Sequence, residues 1–155
     1  MSGEKTPRPL RILTVCLGNI CRSPLAAEIL TRLGGEGVDV RSAGLRGKWA
    51  GQPAHPLMLA AAAESGFDLA AHRGVQVTSE LIDWADIVLA MDRTVLAELQ
   101  ELAGEHAASK LRSYLPDADV PDPFGLALDA FRRCVIQIRE GAGRHLPAGM
   151  DEHRR

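Results

Sequence analysis

The sequence lacks any long apolar run. Nowhere do its 155 residues hold an uninterrupted apolar stretch of the roughly 18 residues that a membrane-spanning helix needs. Met1 to Pro9 is polar and has no apolar core of a signal peptide, so we expect a cytoplasmic protein with no membrane partner. Neither sign of charge is in large excess, because the sequence has 18 Lys and Arg and 20 Asp and Glu. This balance gives no indication of a nucleic-acid partner. We also expect the protein to be a monomer.

Cysteine is scarce too. The three cysteines, Cys16, Cys21 and Cys134, are an odd number and do not form the framework of a disulfide-rich secreted domain. The gap between Cys16 and Cys21 is not matched by a second pair of ligands, so we expect no metal site and no cofactor. In a reducing compartment such thiols serve catalysis, redox chemistry or core packing, and Cys134, on an apolar helical stripe, suits the core.

The apolar periodicity predicts an α/β fold. Runs typical of buried strands alternate with helical patterns, and 46% of the residues are hydrophobic, which suits one domain with a substantial core. We predict a single three-layer domain over residues 9–145, in which a four-stranded parallel sheet is flanked by helices, with residues 1–8 and 146–155 as flexible tails. Residues 43–52 and 115–125 are predicted to be exposed loops. The predicted strands are 10–15, 38–42, 86–90 and 110–114, and the predicted helices 23–33, 56–65, 78–85, 94–103 and 127–140.

The segment from Val15 to Pro24 (VCLGNICRSP) joins the first predicted strand to the first helix. Pro24 suits the first turn of a helix, and we predict that Ser23 is its N-cap. The backbone N–H groups of residues 18–23 can then turn inward, where the helix N-terminus adds partial positive charge. The segment is therefore predicted to bind an anion of phosphate size. The G-x-x-x-x-G-K-[ST] pattern is absent, so it is not a nucleotide-binding loop of that kind.

Two side chains give this loop a chemistry of its own. A helix N-terminus and a nearby cation favour the thiolate form of a cysteine, which is the nucleophilic form, and Cys16 has both features nearby. Arg22 follows six positions later, and its planar guanidinium can bind two oxygens of a phosphate. If the residues between them form a ring, the nucleophile and the cation contact one substrate.

The pattern Cys-x5-Arg-Ser, in the longer form Val-Cys-x-Gly-Asn-Ile-Cys-Arg-Ser-Pro, resembles the low-molecular-weight protein tyrosine phosphatases. The resemblance covers most of the chain, because further motifs occur in the order found in that family. These are Ser42-Ala43-Gly44, Trp49, Gly51-Gln52-Pro53-Ala54, His72-Arg73, Met91-Asp92 and Asp122-Pro123-Phe124.

This resemblance implies a phosphatase that cleaves phosphotyrosine in proteins, and simple aryl phosphates, through a cysteinyl-phosphate and without a metal. Cys16 would attack phosphorus, Arg22 would bind the equatorial oxygens, and Ser23 would donate a hydrogen bond to the thiolate. Asp122 would protonate the leaving phenolate and then activate the attacking water. The phosphate-binding loop would comprise Leu17, Gly18, Asn19, Ile20, Cys21, Arg22 and Ser23.

The resemblance also implies supporting residues. Trp49 and Phe124 would flank the mouth of the site and hold an aromatic ring. Ser42 and His72 would form hydrogen bonds around Asn19, a residue held in a left-handed conformation. Ile20 would line the wall of the phosphate pocket, and Asp92 would either cap the following helix only or also support the site.

The chain departs from the family pattern at two places. Phe124-Gly125 stands where many members have two tyrosines, which puts the substrate preference in doubt. His55 stands where the family commonly has the aspartate of a Pro-Ala-Asp-Pro sequence, and we expect this difference to have a small local effect. For Cys21 two interpretations stay open: a small residue packed behind the loop, or a redox partner that forms a reversible disulfide with an oxidised Cys16.

Three other functions are compatible with a phosphate-binding loop of this kind. Arsenate reductases of the same fold need a distal cysteine pair, and residues 80–92 contain no cysteine. Protein arginine phosphatases resemble this family but tend to have threonine at the position of Ile20, so the isoleucine favours tyrosine. A phosphate-binding module without catalysis would not need Cys16, Arg22 and Asp122 together.

Overall fold

The computed structural model describes residues 8–147. Four parallel strands form one sheet in the order β2-β1-β3-β4. Short 3-10 turns occupy 35–37, 105–110 and 143–145. In chain order the strands and helices are β1 (Leu10–Cys16), α1 (Arg22–Gly34), β2 (Val38–Gly44), α2 (Pro56–Glu64), α3 (Ser79–Trp84), β3 (Ile87–Ala90), α4 (Arg93–Ala103), β4 (Leu111–Ser113) and α5 (Leu128–Ala142).

Helices cover both faces of the sheet. Ile12 of β1 packs in the cluster that contains the buried faces of α1, α2 and α5, whereas Leu13 packs with residues of α3 and α4. Both side chains are fully buried, which explains why these adjacent residues of β1 are both apolar instead of alternating with polar ones. The predicted three-layer α/β architecture is confirmed, and Cys134 lies in the core as expected. Among the helices of residues 8–147, none has the length and apolar character needed to cross a membrane.

The loop predicted to start at residue 43 starts later. Ala43 and Gly44 continue β2 because they pair with the end of β1, in the register Val15 to Ala43 and Cys16 to Gly44. The segments 45–55 and 67–77 also bond to each other: the N–H of Gly51 donates to the carbonyl of residue 74 at 2.8 Å, and the return bond to the carbonyl of residue 52 is also 2.8 Å. These bonds hold a long irregular loop beside the carboxyl end of the sheet.

The segment 115–125 is not wholly exposed, which corrects the prediction. Val120, in its middle, is completely buried, and its N–H donates to the carbonyl of Met91 at 2.8 Å. This bond fixes the segment across the carboxyl end of β3. The position matters because Asp122 follows two residues later.

The predicted domain limits at residues 9 and 145 stay a prediction, and residues 1–7 and 148–155 of the predicted tails lie outside the described part of the chain. At the described edges, Arg8 forms two 2.8 Å hydrogen bonds with Asp86. These bonds, together with the backbone N–H of Arg11, lower the pKa of Asp86 to about 2. Leu146 is buried against the core.

His145, in the 3-10 turn that follows α5, is a buried histidine. The Nε2 of His145 lies 2.8 Å from the carbonyl oxygen of Tyr114, so it donates the hydrogen bond, and the two rings are 4.7 Å apart. Burial is the main reason why the pKa of His145 is lowered to about 4; nearby Arg144 and Arg112 add to the effect. Tyr114 is itself fully buried, and its hydroxyl donates to the carbonyl of Ile138 at 2.7 Å.

His145 should make the fold less stable in mild acid. Its folded pKa of about 4 lies below the ordinary value of 6.5, so the unfolded chain binds the proton more readily. The contribution is complete above the ordinary pKa and is lost as the pH falls toward 4. Between pH values of about 7 and 5 we expect a loss of about 2 kcal/mol from this residue. Urea unfolding of the wild type and of His145→Gln at both pH values measures this loss of stability.

The variant should show the smaller loss over this interval, whatever its stability at neutral pH. His106→Gln, which changes an exposed histidine, is the matched control and should keep the wild-type pH dependence. Equal losses in the wild type and in His145→Gln would contradict the prediction.

Candidate active site

The site lies where β1 ends and α1 begins, at the carboxyl edge of the sheet. Between Cys16 and Arg22 the chain forms a tight loop in which Asn19 has φ of 62°, the one positive φ of a non-glycine residue in the described chain. Gly44 of the neighbouring strand lies directly against this loop. A Cβ on Gly44 would be 2.7 Å from the carbonyl carbon of Gly18 and 2.9 Å from the nitrogen of Asn19. The loop therefore packs backbone to backbone on β2.

The sulfur of Cys16 faces hydrogen-bond donors. The N–H of Asn19 donates to it at 3.3 Å, and the hydroxyl of Ser23 lies 3.0 Å away. The prediction of Ser23 as the N-cap is wrong: α1 already begins at Arg22, and Ser23 lies inside its first turn with its hydroxyl turned toward Cys16. Such donors favour the anionic, nucleophilic form of a thiol.

Asn19 connects four segments through hydrogen bonds. Its Nδ2 donates to the hydroxyls of Ser23 at 2.8 Å and Ser42 at 2.9 Å, and its Oδ1 accepts from the N–H of Val75 at 2.8 Å. The carbonyl of Asn19 accepts a hydrogen bond from Nε2 of His72. All polar atoms of this buried amide group have partners, so the side chain can support the left-handed backbone.

Burial lowers the pKa of His72, and Arg73 beside it adds to the effect, while the hydrogen bond to Asn19 opposes it. Since a carbonyl can only accept, Nε2 carries the proton, and the neutral ring already makes this bond. His72 therefore supports the loop without needing a charge.

Arg22 is almost completely buried, with 2% of its surface exposed. Its Nη1 donates to Oδ2 of Asp92 and to the carbonyl of Val120, both at 2.8 Å, and its Nη2 is 3.8 Å from Oδ2 of Asp122. Burial alone would lower the pKa of Arg22, but the surrounding negative charges, that of Cys16 foremost, outweigh it and raise the pKa. The site thus contains a fixed cation beside the sulfur.

Asp92 has two structural contacts. Its Oδ1 accepts from the N–H of Val95 at 2.8 Å and so caps α4, while Oδ2 binds Arg22. Of the two alternatives for this residue, the structure therefore favours the one in which it caps the helix and also supports the site.

Asp122 lies at the rim of the site. Its side chain is 42% exposed, and its Oδ1 accepts a hydrogen bond from the N–H of Phe124 at 3.1 Å. With Cys16 and Arg22, it lines a cavity of about 60 Å³, to which Leu17, Gly18, Ile20, Cys21, Trp49 and Phe124 also contribute. The structure thus brings the three predicted catalytic residues together.

Two aromatic rings form the mouth of this cavity. Trp49 and Phe124 contact each other edge to face, with centroids 5.8 Å apart. A Cβ on Gly18 would lie 2.6 Å from Cε3 of Trp49, so the tryptophan packs directly on the phosphate loop. The two residues lie where the resemblance predicts a support for an aromatic group.

His55 has more contacts than the predicted small local effect suggests. Its N–H donates to the carbonyl of Ile20 at 2.9 Å, and its Nδ1 accepts from the N–H of Leu57 at 3.0 Å, which caps α2. Its ring stacks on Phe131 at 4.9 Å and meets the ring of Phe124 edge to face at 5.7 Å. His55 therefore joins the phosphate loop, α2, α5 and the mouth.

All three cysteines are free and buried. Burial raises the pKa of Cys21, and the charges at Cys16 and Asp122 add to this effect. Burial also raises the pKa of Cys134 to about 12, although Arg22 opposes it. Within residues 8–147, no group of three or more His, Cys, Asp or Glu side chains is arranged to hold a metal ion.

A larger cavity lies at the opposite edge of the sheet. It measures about 970 Å³ and is lined by Arg8, Asp86, Arg112 and Leu146 among others. It contains none of the residues for which the sequence predicts chemistry. The candidate active site is therefore the smaller cavity, which Cys16, Arg22 and Asp122 line.

Three hydrogen-bond partners of the site were not predicted from the sequence. These are the N–H of Val75, the carbonyl of Val120 and the N–H of His55, which bind Asn19, Arg22 and Ile20 respectively. All three are backbone groups, which every residue type except proline provides, so no sequence signal marks them. Gly44 did carry a signal, because a glycine two residues beyond a predicted strand suits a close backbone approach.

Comparisons with known proteins agree with this geometry. The family described as low molecular weight phosphotyrosine protein phosphatase matches residues 11–154. A relative from Ralstonia nicotianae, named probable low molecular weight protein-tyrosine-phosphatase EpsP, is 37% identical over 140 residues, covering 88% of this chain and 93% of the relative. The chain belongs to the low-molecular-weight phosphotyrosine protein phosphatase family.

Two further comparisons bear on function. A protein-arginine-phosphatase from Geobacillus stearothermophilus is 38% identical over 129 residues, covering 80% of this chain and 85% of that protein. The structure of Vibrio vulnificus Wzb in complex with benzylphosphonate matches with a TM-score of 0.82 and 30% identity, covering 87% of this chain and 95% of that one.

Gly44→Ala should displace the phosphate loop. The added methyl group would meet backbone atoms of Gly18 and Asn19 at 2.7 and 2.9 Å. Backbone atoms cannot move aside as the end of a flexible side chain can. We expect kcat for p-nitrophenyl phosphate to fall about 100-fold, since small misplacements of reacting groups cost this much. Gly47→Ala is the matched control, because its methyl group would meet only the end of the Gln76 side chain. A wild-type kcat in Gly44→Ala would contradict the close contact.

Proposed function

We propose that this protein is a protein tyrosine phosphatase that hydrolyses phosphotyrosine through a cysteinyl-phosphate. One observation carries the proposal: Cys16, Arg22 and Asp122 line a single cavity of about 60 Å³. Membership of the family supports the same conclusion. The nucleophile, the cation and the acid of a phosphate ester hydrolysis are all supplied by this chain.

In the first step, the thiolate of Cys16 attacks phosphorus in line with the ester oxygen. The S–P bond forms as the P–O bond to the aryl group breaks, and Asp122 gives its proton to the leaving oxygen. Arg22 and the backbone N–H groups of the loop bind the three remaining phosphoryl oxygens, where negative charge is concentrated. Asp122 reaches the leaving group because it stands at the open rim while Arg22 lies below.

In the second step, water attacks the cysteinyl-phosphate. Asp122, now ionised, takes a proton from the water as the new P–O bond forms and the S–P bond breaks. The electron pair returns to Cys16, and the hydroxyl of Ser23 and the N–H of Asn19 stabilise the thiolate that leaves. Inorganic phosphate is released, and the enzyme returns to its initial state.

The mouth favours an aromatic leaving group. Trp49 and Phe124 stand at the opening of the cavity, and Ile20 adds an apolar wall. Similarity to the Wzb structure with benzylphosphonate, a phosphonate that carries an aromatic ring, agrees with this choice. Phosphoarginine is the second candidate, because one relative of comparable identity is named a protein-arginine-phosphatase.

Turnover of p-nitrophenyl phosphate, a phosphotyrosine peptide and a phosphoarginine peptide tests the proposal. Cys16→Ser should abolish turnover of all three. Asp122→Asn should lower kcat about 100- to 10,000-fold for the phosphotyrosine peptide, because the phenolate then leaves without its proton. Asp117→Asn, an exposed aspartate of the same segment, is the matched control and should keep wild-type kcat.

An active Cys16→Ser protein would overturn the mechanism. Preference for phosphoarginine over phosphotyrosine would overturn the substrate and support the second candidate.

We also propose Cys21 as a redox partner of Cys16. Peroxide would oxidise the Cys16 thiolate to a sulfenic acid; the thiol of Cys21 would then attack that sulfur, forming a disulfide and releasing water. Cys16 and Cys21 line the same cavity, and burial first, then the charge of Cys16, raises the pKa of Cys21.

After brief peroxide treatment, dithiothreitol should restore the activity of the wild type and of the control Cys134→Ser. Recovery should be much smaller in Cys21→Ser, because sulfenic acid then oxidises further to forms that thiols do not reduce. Full recovery in Cys21→Ser would remove Cys21 from this role.

We further propose a monomer that works in the cytoplasm on phosphoproteins. Three free, buried cysteines suit a reducing compartment. Light scattering of the purified protein and fractionation of cells test the two statements.

A further inference from the structure

The phosphate cavity leaves most of a peptide substrate outside. Its volume of about 60 Å³ is far too small for a polypeptide, so the chain on either side of the phosphotyrosine must follow the surface. A groove of about 580 Å³ begins at this mouth. It shares Ile20, Trp49 and Phe124 with the phosphate cavity, so the two adjoin each other at one pair of aromatic rings.

The groove has an apolar floor and a positive rim. Pro53, Pro56 and Leu59 supply apolar surface, and Lys48 stands at the edge with its Nζ 5.1 Å from the centre of the Trp49 ring. Among the described residues that line the groove, none is a carboxylate. An apolar side chain with a negatively charged neighbour fits this surface, whereas a lysine or arginine does not.

The walls of the groove are held in place without a ligand. The ring of His55 is stacked on Phe131 below and meets Phe124 at the wall between the two cavities. The N–H of Gln52 donates to the carbonyl of Trp49 at 3.0 Å, and Gly51 and Gly74 tie the segment to its neighbour. A preformed groove costs little conformational entropy when it is filled.

We propose that this groove binds an apolar side chain of the substrate polypeptide next to its phosphotyrosine, with an acidic neighbour near Lys48. This inference rests on the proposed phosphotyrosine activity. The other side of the mouth offers less room: a cavity of about 100 Å³ beside Leu126 and Arg133. The substrate chain therefore crosses the segment 48–59 and not the start of α5.

Phosphotyrosine peptides that differ only in the residues flanking the tyrosine test the groove. In the wild type, kcat/KM should be about tenfold higher with leucine than with alanine in the best flanking position, because part of the leucine surface becomes buried. Leu59→Glu should remove this leucine preference. Leu126→Glu is the matched control on the opposite side of the mouth and should keep it.

Turnover of p-nitrophenyl phosphate, which has no flanking residues, should stay at the wild-type level in both variants. This separates the groove from the proposed function: if phosphotyrosine peptides are not hydrolysed at all, the function fails, whereas equal hydrolysis of all peptides overturns only the groove. Loss of the preference in Leu126→Glu but not in Leu59→Glu would overturn it as well.

Leu59 packs partly against the core, so a second variant is needed in case Leu59→Glu does not fold. Lys48→Glu changes an exposed residue. The wild type should prefer a peptide with glutamate over one with lysine beside the apolar flanking residue. Lys48→Glu should reverse this preference while leaving p-nitrophenyl phosphate turnover unchanged. An unchanged charge preference in Lys48→Glu would overturn the placement of the peptide.

Discussion

The hydrogen bonds of Asn19 are the constraint on which the active site depends. A loop whose donors point inward needs a residue with positive φ, which costs free energy for any residue except glycine. The side chain of Asn19 offsets this cost because it binds Ser23, Ser42 and the backbone of Val75 at once. One of these bonds leads directly to the nucleophile, since Ser23 also contacts the sulfur of Cys16. The conformation of the loop and the environment of the thiol are therefore set by one side chain.

The charges of the site are arranged around the same loop. A buried guanidinium without partners would be strongly destabilising, and Arg22 has Asp92 and the carbonyl of Val120 at 2.8 Å. Both partners bind Nη1, which leaves Nη2 on the side of Asp122 and the cavity. Asp92 and Val120 thus hold the guanidinium plane while its free edge faces the substrate. The same contacts connect the loop to β3 and to the segment that carries the acid.

The order of strands and helices could be predicted from the sequence, because burial on both faces makes adjacent residues of β1 apolar and because α5 has one apolar stripe. The loop motif also predicted which side chains meet. The partners that hold those side chains could not be predicted: Val75 is 56 positions from Asn19, and Val120 is 98 positions from Arg22. They contribute backbone groups, and only the path of the folded chain decides which backbone groups arrive. Ser23 was misplaced for a related reason, since serine is typical of an N-cap and its contact with Cys16 is tertiary.

The two departures from the family pattern meet at the mouth. The N–H of Leu126 donates to the carbonyl of Pro123 at 2.9 Å, which closes a turn with Phe124 and Gly125 in its middle. Gly125 has φ of 85°, a value that a tyrosine there would adopt only with strain. The turn presents the ring of Phe124, and His55 contacts that ring at 5.7 Å.

A carboxylate at position 55 could cap α2 as the imidazole does, but it could not stack on Phe131 and support Phe124 together. The glycine allows the turn and the histidine supports the ring that the turn presents. Gly125 and His55 therefore act on the same ring, that of Phe124, which the turn presents and which is supported from α2 and α5. The ring of Phe124 lines both the phosphate cavity and the groove beside it, so both departures act where the proposed substrate chain leaves the site.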